Sequence, residues 1–174
     1  VVDDGSTDET VTVAGQLVED HKEVSVVHQA HCGPGSAREA GRQRALGEFI
    51  QYLDSDDLLM PRKFDLQVAG LDDYPECGVS YCRAEYHDID GTVLDNAWMR
   101  TSEIHKSMFP AMLAGRLWGT PVPLYRKSVI DACGPWKALN NEEDWEYDCR
   151  IASQGVQLHY IPDGLVVVRR HGEG

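Results

Sequence analysis

Carboxylates are concentrated in three short segments of this sequence. Residues 3–8 read DDGSTD, residues 54–57 read DSDD and residues 141–146 read NEEDWE. Carboxylates that lie this close together repel one another unless a cation or solvent relieves them. In a turn, side chains two positions apart can converge on one ion, and oxygen ligands favour Mg²⁺ or Mn²⁺ over zinc. The DSDD segment is therefore a candidate metal site, and a solvated turn with helix-capping aspartates is the alternative.

Alternating strands and helices would position the first two of these segments. Ser6 and Glu9 form a capping-box pattern that predicts a helix after DDGSTD. Strands are predicted at 1–2, 24–28 and 48–53, with further helices at 36–46 and from 61 towards 71. This alternation implies a mainly parallel sheet, and such sheets bind ligands at the carboxyl ends of their strands. Because DDGSTD and DSDD both follow strands, both are expected at that edge.

The second half of the chain has a more mixed pattern. A hairpin is predicted around Asp90-Gly91, between strands at 84–87 and 92–94. Other predicted strands are 78–82, 121–125, 156–161 and 165–170, and predicted helices are 104–113, 128–132 and 143–153. The chain starts with apolar residues that run straight into a polar turn, so we expect it to begin inside a strand of a longer protein.

Composition excludes several classes of protein. The 174 residues include 16 Lys and Arg against 29 Asp and Glu, so the net charge is 16 − 29 = −13, and basic residues occur in no run longer than a pair. Such a chain is poorly suited to nucleic acid. It has no GxGxxG turn of a dinucleotide-binding enzyme. Its five scattered cysteines include no CxxC pair, which favours reduced thiols in a cytosolic setting.

Four motifs occur in a fixed order over nearly the whole chain. DDGSTD is followed by GSAREAG (35–41), then by GEFIQYLDSDD (47–57) with Pro61, and finally by NEEDWE with Arg150 and Gly155. This succession closely resembles the family 2 glycosyltransferases, whose fold is the GT-A fold. The resemblance implies one α/β domain over 1–174, a Rossmann-like mixed sheet flanked by helices, lacking its first strand and helix. It places nucleotide-sugar binding in 1–75, and acceptor binding with the catalytic base in 76–174.

The resemblance also implies the reaction. Family members of this kind transfer a sugar, with inversion, from a nucleoside-diphosphate sugar to an acceptor hydroxyl with the help of Mn²⁺ or Mg²⁺. The implied acceptor is a saccharide or lipid-linked saccharide in polysaccharide or glycoconjugate synthesis. The implied location is cytoplasmic, peripheral at the inner face of a membrane through parts outside this sequence.

The resemblance assigns the donor and metal sites residue by residue. Asp56 is the main metal ligand, while Asp54 lies near the ribose and the metal and Ser55 lies on the donor side. Asp57 is a further ligand candidate, for which capping of the turn is the alternative. His171 would complete the metal shell or contact the diphosphate, or else be an exposed bystander.

Recognition of the nucleotide is implied for the first acidic segment. Asp4 would accept a hydrogen bond from the ring N–H of the base, which favours a UDP- or dTDP-sugar, and Asp3 would assist it or organise the turn. Arg38 lies where the family often has an Arg-Asn pair near the donor, whereas this chain has Arg38-Glu39. A surface ion pair on a helix is the alternative for Arg38.

The acceptor side contains the implied general base. Asp144 matches the family's base, and Glu143 is its rival because a slip of one position would exchange them. These acids also suit a helix N-terminus by themselves. Trp145 would supply an apolar wall for a sugar, and Trp118 would stack on the acceptor or belong to the core.

Two other classes of protein stay open. A sugar-nucleotide nucleotidyltransferase would share the sheet and the metal chemistry, but it has no need for DDGSTD or for the acidic helix head. A non-catalytic sugar-binding module would share the fold, and the presence of both Asp56 and Asp144 argues against it.

Overall fold

The computed structural model describes residues 1–88, 90–94, 100–139 and 141–170. The chain divides into two compact units. The first unit contains Val1–Leu46 and Gly134–Tyr147, and the second contains Gly47–Cys133 and the chain from Asp148 onward. The predicted assignment of 1–75 to nucleotide binding and 76–174 to the acceptor is a functional division and stays a prediction.

The first unit is built on a small parallel sheet. Its elements are β1 (Val2–Asp3), α1 (Thr10–Asp20), β2 (Val27–His28), α2 (Pro34–Arg42) and the first half of α6 (Glu143–Ala152). In the parallel pair of β1 and β2, Val2 lies opposite Val27 and Asp3 lies opposite His28. The parallel pairing predicted here is confirmed.

The predicted capping box at Ser6 and Glu9 is wrong. The N-cap of α1 is Glu9, whose own side chain makes no capping hydrogen bond. Local turns use the nearby donors instead, because the Ser6 N–H donates to Asp3 Oδ1 (3.1 Å) and the Thr10 N–H donates to Asp8 Oδ1 (3.0 Å). Short polar side chains compete for backbone groups in this way, because they offer the backbone local hydrogen bonds as an alternative to the helix.

The second unit contains a five-stranded mixed sheet with the order β3-β6-β5-β7-β4. Its strands are β3 (Phe49–Ile50), β4 (Leu58–Leu59), β5 (Cys77–Asp88), β6 (Leu124–Arg126) and β7 (Gln157–Arg170). Its helices are α3 (Lys63–Asp73), α4 (Ala111–Ala114), α5 (Lys127–Cys133) and the second half of α6. Strands β5 and β7 are parallel, whereas the β3–β6, β5–β6 and β4–β7 pairs are antiparallel.

Several details of the second half differ from the predictions. The strand that precedes DSDD pairs antiparallel with β6, so the expectation of a mainly parallel sheet is wrong for β3. The strands predicted at 156–161 and 165–170 are one long strand, β7, because its register to β5 continues through an irregularity. The helix predicted at 104–113 shrinks to the short α4. In place of the predicted hairpin, the structure has an isolated antiparallel bridge between His87 and Val93.

A buried polar network ties the segment before DSDD to the sheet. Lys63 at the start of α3 is fully buried and donates to Gln51 Oε1 (2.5 Å) and to Gln67 Oε1. The Gln67 amide in turn donates to the carbonyls of Ser80 (2.8 Å) and Val122 (3.1 Å). Since Gln51 lies shortly before DSDD in the chain, this network fixes the backbone as it enters the acidic turn. Burial lowers the pKa of Lys63 to about 8.

We expect Lys63→Met to remove a pH-dependent part of the stability. Below pH 8 the folded protein must keep a buried ammonium group, and the unfolded chain binds the extra proton until about pH 10.5. Wild-type stability therefore gains about 3 kcal/mol, relative to the variant, as the pH rises from 7.5 to 10.5. Urea unfolding of both proteins at several pH values measures this difference.

Lys106→Met is the matched control, because Lys106 is exposed. Its stability difference from wild type should stay constant over the same pH range. A constant difference for Lys63→Met as well would show that the buried ammonium is not penalised.

Among the residues that the structure describes, no helix is both long and apolar enough to cross a bilayer.

Candidate active site

The DSDD turn is fastened to the end of β7. The turn is closed by the Asp57 N–H, which donates to the Asp54 carbonyl (3.2 Å). The Asp57 carboxylate accepts the backbone N–H of Arg169 (3.0 Å), and the Arg169 side chain donates to the Asp56 carbonyl. Antiparallel pairing of β4 with β7 brings these residues together, since Leu58 lies opposite Val167. Asp57 therefore ties the turn to β7, which is a different contact from the local capping that the sequence offered as the alternative to ligation, and ligation by Asp57 stays a prediction.

The charges of Asp54 and Asp56 act on the third carboxylate of the turn, Asp57. Burial, assisted by the nearby charges of Asp56 and Asp54, raises the pKa of Asp57 to about 6 in spite of the hydrogen bond from the Arg169 N–H. Within the described ranges, no three His, Cys, Asp or Glu side chains are arranged as a complete metal-binding group. Asp54 and Asp56 offer carboxylate oxygens only, and the Asp57 carboxylate is engaged by the Arg169 N–H. The oxygens of Asp54 and Asp56 fit a hard divalent cation that takes its other ligands from substrate phosphates and water.

The structure says little about two of the predicted donor-side and metal residues, Ser55 and His171. Ser55 is exposed at the tip of the turn. His171 lies outside the described residues, so its predicted contact with metal or diphosphate stays a prediction.

Tyr86 on β5 is near the DSDD turn but was not among the site residues predicted from the sequence. Its side chain is buried, and its hydroxyl has no hydrogen-bond partner in the described part of the chain. Burial raises the pKa of this hydroxyl, Arg116 opposes the rise and the carboxylate of Asp57 adds to it, so Tyr86 shares the electrostatic environment of the DSDD turn. No motif marks Tyr86 or Arg116.

In the first unit, Asp4 organises the loop that precedes α2. Its Oδ1 accepts the Gln29 side-chain amide (2.7 Å) and the Cys32 N–H (2.9 Å), while its Oδ2 accepts the Gly33 N–H (2.8 Å). Burial raises the pKa of Asp4, but these hydrogen bonds outweigh burial and hold it below its usual value. His31 Nδ1 lies 3.0 Å from Asp4 Oδ2. The contacts occupy much of a carboxylate's acceptor capacity, and recognition of a base by Asp4 stays a prediction.

Asp3 is buried at the end of β1 and holds the turn that directly follows this strand. It accepts the Ser6 N–H and lies 3.2 Å from His28 Nδ1. Gly5 follows with φ +80°, and a Cβ there would lie 2.9 Å from the His31 backbone nitrogen. The turn therefore requires glycine at this position.

The head of α6 distinguishes the two candidate bases. Glu143 is buried and accepts a hydrogen bond from Arg38 (2.7 Å), in an ion pair whose side chains are 12% (Arg38) and 10% (Glu143) exposed. Asp144 is half-buried, and its Oδ1 accepts the Trp145 N–H (2.7 Å). The ion pair engages Glu143, and the choice of Asp144 over Glu143 as the general base stays a prediction. The sequence left the pairing of Arg38 open, because 105 positions separate it from Glu143.

Of the two tryptophans predicted to face the acceptor, Trp118 has the geometry of a core residue. It is 1% exposed, its ring tilts against Tyr81 at 5.2 Å, and its Nε1 donates to Asp148 (2.9 Å). The Tyr125 hydroxyl also donates to Asp148 (2.7 Å), so this buried carboxylate joins separate parts of the second unit. Trp145 is only partly buried, and its acceptor role stays a prediction.

The first three of the four motifs agree with a comparison of the whole sequence to family models. Residues 1–126 match the model described as glycosyl transferase family 2. The chain belongs to this family. Its DDGSTD, GSAREAG and DSDD motifs all lie within the matched residues.

Relatives and solved structures are similar to this chain over nearly its whole length. The putative glycosyltransferase EpsH of Bacillus subtilis is 29% identical over 181 residues, which cover 98% of this chain and 52% of EpsH. The crystal structure of S. aureus TarS 1-349 in complex with UDP-GlcNAc matches with a TM-score of 0.80 at 20% identity, over 100% of this chain and 49% of that one. The mannosyltransferase PcManGT from Pyrobaculum calidifontis, in complex with GDP-Man and Mn²⁺, has a TM-score of 0.64 at 17% identity, over 97% and 46% of the two chains.

These similarities confirm the GT-A-type α/β fold that the resemblance implied. The chain spans about half the length of the relatives that it matches. The family 2 motifs therefore lie on the expected fold, and the reaction of the whole protein is a matter for proposal.

Proposed function

We propose that this family 2 protein is a metal-dependent inverting glycosyltransferase. The observation that carries the proposal is the head of α6, where the ion pair with Arg38 holds Glu143 and the neighbouring Asp144 stays half-buried. A carboxylate in this state suits proton transfer at a partly desolvated site. The anchored DSDD turn supplies the second requirement, an oxygen donor set for a divalent cation.

Asp56 and Asp54 are the residues that would hold the metal, with Asp57 supporting them through its bond to the Arg169 N–H. When bound, a divalent cation stabilises the negative charge that develops on a departing diphosphate. The resident ion that we propose is Mn²⁺ or Mg²⁺, since the donors are carboxylate oxygens. The Mn²⁺ in the mannosyltransferase complex supports this choice.

Asp144 is the proposed general base. It takes the proton of the acceptor hydroxyl, whose oxygen forms a bond to the anomeric carbon as the bond between that carbon and the diphosphate oxygen breaks. The electron pair of the broken bond leaves with the nucleoside diphosphate. Because one displacement occurs with no covalent intermediate on the enzyme, the anomeric configuration inverts.

The donor that we propose is a UDP- or dTDP-sugar. Support comes from the acidic Asp4 position in the family pattern and from the TarS complex with UDP-GlcNAc. The proposed acceptor is a hydroxyl of a saccharide or lipid-linked saccharide, as in polysaccharide or glycoconjugate synthesis. The proposed setting is the cytoplasmic side of a membrane.

Turnover of a donor panel tests the proposal. The full-length protein, given UDP-, dTDP- and GDP-sugars with Mn²⁺, is expected to release nucleoside diphosphate from one donor class and to stop when EDTA is added. A parallel assay with nucleoside triphosphates and sugar 1-phosphates tests the nucleotidyltransferase alternative. Pyrophosphate release in that assay, without turnover of any nucleoside-diphosphate sugar, would contradict the proposal.

A further inference from the structure

Helix α2 meets the segment before α6 at very short range within the first unit. A Cβ added to Gly35 would lie 2.5 Å from the Lys137 carbonyl oxygen and 3.4 Å from Glu143 Cγ. Only a residue without a side chain allows this approach, since the nearest atom is backbone. The first turn of α2 is therefore held directly against the residues that lead into the acidic helix head.

Arg38 contacts two residues of the 134–147 segment, which contains the first half of α6. It donates to Glu143 (2.7 Å), and its guanidinium carbon lies 5.1 Å from the centre of the Trp136 ring. Trp136 also packs on Tyr147, whose ring is stacked on it at 4.0 Å with an interplanar angle of 9°. Tyr147 is fully buried and donates through its hydroxyl to the Gly134 carbonyl (3.3 Å). The guanidinium thus joins the start and the end of the 134–147 segment, in a stack that a flexible ammonium would not reproduce.

Glu39 holds the same segment by its backbone. Its Oε2 accepts the Trp136 N–H (3.1 Å) and the Arg42 Nε (2.8 Å). The hydrogen bond from Arg42 holds the pKa of Glu39 below its usual value, with the bond from Trp136 contributing and burial opposing. Glu39 is the residue in which this chain departs from the Arg-Asn pair of the family pattern. A carboxylate here accepts both donors at once, since its oxygens offer several lone pairs.

We propose that Arg38 and Glu39 form a clamp that positions Asp144. Arg38 acts through Glu143 and the Trp136 ring, Glu39 acts through the Trp136 backbone, and together they fix the first turn of α6. The clamp rests on the proposed function only in the role of Asp144 as general base. Arg38 is on this account a positioning residue, in contrast to the donor contact that the family pattern implies for it.

Arg38→Gln, Arg38→Lys and Glu39→Ala test the clamp, with Arg44→Gln as the control. Arg44 lies just beyond α2, is exposed and donates to the Ala40 carbonyl. Three quantities are measured for each variant of the full-length protein: kcat with saturating donor, the Kd for UDP, and amide hydrogen exchange of residues 141–147. Circular dichroism confirms folding, and Arg38→Lys serves where Arg38→Gln does not fold.

We expect Arg38→Gln to lower kcat by about 10- to 100-fold, since a misplaced catalytic group costs this much. Exchange of the 141–147 amides should become at least about tenfold faster, because the turn loses its tertiary contacts. The Kd for UDP should stay within about twofold of wild type, and Arg44→Gln should change none of the three.

A contrary result in Arg38→Gln is a Kd for UDP that rises by the same factor by which kcat/KM falls, while amide exchange of 141–147 stays unchanged. That result would make Arg38 a donor ligand and overturn the clamp. Unchanged kcat and unchanged exchange would overturn it as well. If wild type turns over no donor, but amide exchange of 141–147 is faster in Arg38→Gln than in wild type, the clamp is supported and only the proposed function is contradicted.

Discussion

Asp144→Asn is expected to lower kcat by about 10²- to 10⁴-fold, the usual contribution of a general base. The substitution keeps the size of the side chain and its acceptor oxygen for the Trp145 N–H, but an amide cannot take a proton from the acceptor hydroxyl. The Kd for UDP should be close to that of wild type. Steady-state release of UDP, with acceptor present, measures the loss.

Glu143→Gln separates the base from its neighbour. The amide oxygen of this variant can still accept the hydrogen bond from Arg38, so we expect a loss of no more than about 100-fold, through positioning alone. Asp163→Asn is the neutral control, because Asp163 is exposed on β7. A larger loss for Glu143→Gln than for Asp144→Asn would reassign the base to Glu143.

Asp56→Asn is expected to lower kcat by about 10²- to 10³-fold, the cost of removing one group that stabilises developing charge. The variant keeps its backbone carbonyl at this position, so the bond from the Arg169 side chain is retained and the turn stays folded. The Mn²⁺ concentration for half-maximal activity should rise together with this loss. Titration of activity with Mn²⁺ measures both effects.

Asp57→Asn provides the comparison for the metal site. This variant keeps a side-chain acceptor oxygen for the Arg169 N–H and loses only the charge, so we expect a smaller effect on the Mn²⁺ requirement than for Asp56→Asn. Equal effects of the two substitutions would place Asp57 among the ligands. Full activity of Asp56→Asn, with its Mn²⁺ requirement unchanged, would contradict the metal role of the turn.

Local patterns predicted the acidic segments and the bounds of α6 well. The helix predicted at 143–153 is observed at Glu143–Ala152, because acids at its N-terminus and a glycine after its end are signals carried by neighbouring residues. The order of four motifs predicted the family for the same reason. Each motif is short, and its meaning does not depend on distant partners.

What the sequence did not predict depends on residues far apart in the chain. The antiparallel pairing of β3 with β6 joins distant positions such as Ile50 and Tyr125, and nothing in β3 itself specifies its partner. The burial of Trp118 depends on Asp148 as an acceptor for its N–H. The ion pair that gives Glu143 a different environment from Asp144 requires Arg38, which lies on another helix. Local periodicity contains no information on these pairings, so the choice between core and acceptor contact stayed open.

We propose that this protein transfers a sugar with the help of a divalent cation at DSDD and of Asp144 as general base. The most direct test of this proposal is nucleoside diphosphate release from a UDP- or dTDP-sugar, measured for wild type, Asp56→Asn and Asp144→Asn, with Mn²⁺ and with EDTA. We expect wild type to release nucleoside diphosphate in the presence of Mn²⁺ but not in EDTA, and both variants to release much less. Release by wild type that continues undiminished in EDTA, or release by both variants at the wild-type rate, would contradict the proposal.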